Sequence, residues 1–228
     1  MPRASSPLTA GSPARRRLMP SLGAAGLSSR WLMLYLRSRR APLALALVGA
    51  GTVLLWILWV TTSKTRDVDC RMVQVAVLLA VAALTATLGA PDDALERTGA
   101  VNWPLRRTVH LLVALLIVVG LLTVTLLTPA RFGPASFVLR DAAGLLGLTA
   151  LGAASIGPAR SWFAPLGWTL TAVMFPLGDG TIQQIVTWQA QPSGNAPATV
   201  TALLLALGGL VAYANAGPSR RAPAEVPV

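Results

Sequence analysis

The sequence predicts an all-α fold, a polytopic membrane bundle of about six transmembrane helices with an N-terminal interfacial helix ahead of them. Three observations carry this. Of 228 residues, 54% are hydrophobic and only 12% charged, about half the roughly 25% usual in soluble domains. The apolar residues fall in runs close to the ~20 residues that cross a bilayer as a helix. The net charge of +11 is gathered at the chain ends and between those runs, as membrane topology requires. A soluble enzyme, a disordered chain and a disulfide scaffold are excluded by the same figures. Cys70 is the one cysteine, so neither an intrachain disulfide nor a cysteine-based metal site is available. A basic soluble domain would suggest nucleic acid; here the charge reads as an orientation signal, and no nucleic-acid partner is expected.

Residues 1–40 form a cytoplasmic, Arg-rich tail. Its last part, 30–40, interleaves Trp31, Tyr35 and leucines with Arg30, Arg37, Arg39 and Arg40. That mixture suits a helix lying in the membrane interface, aromatic rings at headgroup depth and arginines on phosphates. It equally suits the basic flank of the first span.

The transmembrane domain covers 41–217, with spans at about 41–62, 72–90, 109–130, 136–157, 162–177 and 198–216, and 218–228 form a cytoplasmic tail. The fifth span is short and holds Pro165 and Pro176, and only 157–161 separate it from the fourth. A re-entrant hairpin of those two, leaving four crossings, is the alternative topology. Fourteen of the 19 basic residues fall on the side of the N-terminus, which places both termini in the cytoplasm. Small residues four apart, Ala150 with Ala154, Ala153 with Gly157 and Gly208 with Ala212, would let helices approach closely.

Catalytic constellations are missing from the sequence. His110, the only histidine, begins the third span. There is no H-E-x-x-H, no phosphate-binding loop and no Ser/His/Asp set. The chain is expected not to be an enzyme and to carry no cofactor or metal. Arg140 and Asp141 are the charges inside a span and so form the candidate intramembrane polar site. Neighbours on a helix point about 100° apart. Arg140 can then snorkel to the outer interface, and Asp141 is expected to find a donor on another helix. Their role is either structural anchoring or a transport path.

Polar residues concentrate in two loops. In 91–108, Pro91 suits a first helical turn, with Asp92, Asp93 and Glu96 near its positive end. Leu95 lies among these acids, Arg97 follows, and Gly99 suits a helix end. Trp103 marks the return to the interface, Pro104 opens the next segment, and Arg106 and Arg107 hold it at the lipid phosphates. Such a short acidic helix is a docking element; a solvated loop is the alternative. In 178–197, Ile182, Ile185 and Val186 share a helical face beside Gln183, Gln184, Gln189 and Trp188. This reads as a short amphipathic element at the outer leaflet, either a lid or a simple connection.

On these residues the chain resembles the membrane (permease) subunit of an ABC-2-type exporter. The likeness rests on six spans with both ends inside and on the Trp- and Arg-rich segment 31–40. It also rests on Glu96-Arg97-Thr98 followed by Trp103-Pro104-Leu105-Arg106-Arg107, and on helical material between the last two spans. It covers about 30–216, and the short fifth span departs from it. The chain also looks like small actinobacterial membrane proteins. The resemblance implies that 91–108 is a coupling helix on a separate ATP-binding-cassette subunit. It implies that the interfacial helix touches that subunit too, and that the element before the last span is re-entrant. It further implies a homodimer, or a pair with a related membrane subunit, in a bacterial plasma membrane. The alternative is a small non-transport membrane protein with a scaffold, accessory, immunity or stress role.

Overall fold

Runs of Leu, Val and Ala, punctuated by Pro, Asn and Thr, set the helices and their ends. The computed structural model describes residues 41–89, 102–175, 178 and 180–219, all within one compact unit. Seven α-helices form among them: α1 Ala41–Thr62, α2 Cys70–Thr85, α3 Trp103–Val124, α4 Ala135–Ser155, α5 Phe163–Met174, α6 Thr181–Val186 and α7 Ala196–Ala216. Among the described residues no strand forms; an isolated backbone bridge joins Asp67 and Arg131 in two loops. Four helices are long and apolar enough to cross a membrane: α1, α3 with its following turn to Leu127, α4 and α7. The chain is therefore a helical protein of membrane character.

Helix ends follow side-chain chemistry that hydropathy does not register. α2 starts where Asp69 accepts a hydrogen bond from the Arg71 amide at 3.3 Å. It ends at Thr85, where hydroxyls turn back on the chain: Thr85 donates to the Ala82 carbonyl at 2.6 Å and Thr87 to that of Leu84 at 2.7 Å. Such bonds compete with the helix ladder. α3 begins at Trp103, well before the apolar run, because Asn102 caps the Leu105 amide at 3.3 Å and Pro104 occupies the first turn, where its missing N–H costs nothing.

α4 is the central helix. Of its membrane-length stretch 72% is buried inside the bundle, against 17%, 28% and 28% for α1, α3 and α7. Its closest neighbour is α7, and the two run in the same direction. Arg140 near the start of α4 meets Pro192 before α7, and the Ala153 carbonyl accepts from the Ser219 amide beyond α7 at 2.8 Å. They cross at Gly147 and Gly209, where a Cβ on either would strike the other helix's backbone. Gly208, expected to be the small contact residue, has open space around it; one position of helical rotation, ~100°, makes the difference.

α5 packs against α4 in the opposite sense. Ser161 ahead of it lies on Gly152, and Thr169 within it reaches Gln189. With 12 residues it is ~18 Å long, and α2 with 16 residues is ~24 Å, both shorter than the ~30 Å hydrocarbon core. The exposed leucines, isoleucines and valines of α1, α3 and α7 are ordinary for surfaces that face lipid.

Candidate functional site

The described polar side chains gather at the two ends of the bundle. One end holds the α1–α2 and α3–α4 loops and the chain entering α7; we call it the Arg140 end. The other holds the start of α3 and the end of α7, the His110 end.

At the Arg140 end, the segment after α6 folds into the bundle. Trp188 is fully buried, its ring against Gly144 of α4, where any Cβ would collide with the indole. A short 3-10 turn, Trp188–Ala190, follows, leaving carbonyls that lack helical donors, as every helix end does. Arg140 supplies the donors. Its Nη2 donates to the carbonyls of Gln191 at 2.8 Å and Gln189 at 3.4 Å, and Nη1 to that of Pro192 at 2.9 Å. Nε donates to Asp141 Oδ1 at 3.1 Å, and the guanidinium stands 4.9 Å from the Phe137 ring centroid.

This corrects one expectation. Arg140 turns to the carbonyls of the α6–α7 segment. Asp141 takes its donor from its own neighbour and not from another helix. The ~100° between adjacent Cα–Cβ directions is spanned because the long arginine stem lets the guanidinium fold back. The pair is deep, with side chains 5% and 0% exposed. Asp141 Oδ2, Trp188 Nε1 and Gln189 Nε2 are buried with no hydrogen-bond partner among the described residues: one acceptor and two donors in the same region, each costing ~1–3 kcal/mol while unmet. The α6–α7 segment is thus held by strong bonds yet carries a penalty in this position.

α5 closes one side. Trp168 Nε1 donates to the Val186 carbonyl at 3.0 Å and Thr169 Oγ1 to Gln189 Oε1 at 3.1 Å. Of the expected amphipathic face, Ile182 is 78% and Ile185 38% exposed, while Trp188 is the residue that inserts. Nothing in the periodicity separated Trp188 from Ile182; the signal was Gly144, the space into which an indole fits. The carbonyls that hold Arg140 carry no sequence signal, since every residue has one.

At the His110 end, His110 Nε2 lies 3.0 Å from Thr87 Oγ1, and Tyr213 donates from its hydroxyl to the Leu88 carbonyl at 2.7 Å. Arg107 Nη1 donates to the Ala214 carbonyl at 3.2 Å, joining the first turns of α3 to the last of α7. Arg106 lies 5.7 Å from the Trp103 ring centroid. Trp103, Pro104, Arg106 and Arg107 therefore share one helix start. Asp92, Asp93, Leu95, Glu96 and Arg97 lie outside the described residues, as do Trp31, Tyr35, Arg37, Arg39 and Arg40. Among the described residues no three of His, Cys, Asp and Glu come together as a metal site would require.

Comparison of the chain with protein-family models, with curated proteins and with solved structures finds no match in any of the three.

Proposed function

We propose that the chain is the membrane subunit of an ATP-driven ABC-2-type exporter, coupled to a separate ATPase through 91–108. In this reading α2 and α5 are crossings as well, giving six, with both termini in the cytoplasm of a bacterium. A second copy, or a related membrane subunit, completes the transporter.

The observation that carries the reading is the bond between Arg107 and the Ala214 carbonyl. It joins the segment that follows 91–101 directly to α7. α7 runs beside α4 along its length, and α4 holds the α6–α7 segment through Arg140. A displacement of the cytoplasmic loop would thus reach the Arg140 end through two rigid helices. There it would act on a segment whose unmet polar atoms lower the cost of leaving its position. The exporter's outer exit is then the α6–α7 segment, with Trp188 as its stopper.

The test is the double variant Glu96→Ala, Arg97→Ala. It is expected to insert normally and to abolish export of the cell's native cargo. Unchanged export would contradict the proposal.

A second reading, a non-transport membrane protein, is favoured by one observation: the buried charges of Arg140 and Asp141 are engaged with each other and with carbonyls. In that case Arg140→Gln would lower stability with no effect on any cargo.

A further inference from the structure

A cleft of about 350 Å³ opens between α2 and α5 at the Arg140 end, a size at the lower end of small-molecule sites. Its walls differ in chemistry. Cys70, Arg71 and Gln74 form the α2 wall, and Ala172, Val173, Met174 and Phe175 the α5 wall, with Ala190 between them. The spacing of 70, 71 and 74 puts all three on one side of a helix.

Two features point to a ligand. Gln74 lines the cleft, is only 5% exposed and makes no hydrogen bond with a described residue. Arg71 engages no carboxylate among the described residues. Asp69 is committed through Oδ1 to capping the Arg71 amide. The loop sequences at this end balance Lys64, Arg66 and Arg131 against Asp67, Asp69 and Asp179, so Arg71 is the charge in excess. The opposite wall continues into side chains open to lipid: Val173 is 66% and Met174 83% exposed.

We propose that this cleft binds an anionic phospholipid of the leaflet at that end. The phosphate pairs with Arg71, a headgroup oxygen accepts from the Gln74 amide, and the acyl chain lies along Val173 and Met174. A guanidinium is well suited to a phosphate, since its planar fork donates twice. The site requires only that the chain lie in a bilayer and is independent of whether it transports anything.

Cys70 serves as the reporter, because it lines the cleft and is the only cysteine. The full chain is reconstituted into vesicles of phosphatidylcholine alone or with phosphatidylglycerol, and its reaction with N-ethylmaleimide is timed. Phosphatidylglycerol is expected to slow labelling by about tenfold, the worth of one charge-assisted hydrogen bond. In Arg71→Gln most of this protection disappears, and Gln74→Leu, which keeps an apolar core intact, loses part of it. Arg66→Gln, with the same loss of surface charge, keeps it. Equal slowing in the wild type and Arg71→Gln would mean surface potential alone and would overturn the proposal. So would the absence of slowing, or equal protection by inorganic phosphate over phosphatidylcholine, which would assign the cleft to a free anion.

Discussion

Arg140 is the residue on which the described polar chemistry converges. Its guanidinium serves one carboxylate and three carbonyls, so it fastens the α6–α7 segment to α4. Removing one member of a buried pair leaves the other charge uncompensated, at a cost of ~3–5 kcal/mol, whereas replacing both with apolar residues is much milder. Arg140→Met is therefore expected to lower stability strongly in detergent. The double variant Arg140→Met, Asp141→Leu should recover much of that loss as measured by thermal unfolding. The double variant unfolding at or below the temperature of the single one would mean that Asp141 left without Arg140 carries no such cost. At this scale the sequence was legible in part. Two adjacent charges inside an apolar run announced a site, and their position is what the structure uses. Their partners were not legible, because backbone acceptors are anonymous and a side chain's bend is not encoded in helical spacing.

At the scale of elements, the contact of α4 with α7 decides the architecture. Glycines at 147 and 209 bring the two backbones together, and Trp188 uses the gap at Gly144. Gly147→Val is expected to push the helices apart and destabilise the protein by ~1–3 kcal/mol, the usual cost of overpacking. Gly208→Val, which meets no neighbour, should be near neutral beyond helix propensity. Equal effects of the two substitutions on thermal unfolding would show that α4 and α7 do not cross there. Likewise Gly144→Leu should expel Trp188, read as a red shift of its fluorescence in a variant lacking the other tryptophans. An unshifted emission would place the indole elsewhere.

Four helices of membrane length were legible as apolar runs, since length and hydropathy are direct properties of the sequence. Their ends were less so. α3 starts six residues ahead of the apolar run because a helix continues past the hydrocarbon when Asn102 caps it and arginines line its first turns. α2 stops early because Thr85 and Thr87 bond back to carbonyls. Small residues in general were visible, but selecting Gly209 over Gly208 needs the rotation of both helices, which only packing sets.

For the whole molecule, the two polar ends give the bundle a direction. Basic residues of 97–107 and the tails would mark the inner side, and Cys70 would then face outward. A membrane-impermeant maleimide added to intact cells is expected to label Cys70; labelling only after the cells are opened would invert the orientation. The His110 end ties α3 to α7 through Arg107 and the chain just after α2 to α7 through Tyr213. The Arg140 end ties α4 to the α6–α7 segment. An ATPase bound at 91–108 would thus act on the helices that hold the exit closed. Purification from native membranes in mild detergent measures that claim most directly. The exporter account predicts that an ATP-binding-cassette protein co-purifies in a fixed ratio and is lost in the Glu96→Ala, Arg97→Ala variant. Recovery of the chain alone, as a clean homo-oligomer with no ATP-binding partner, would contradict it.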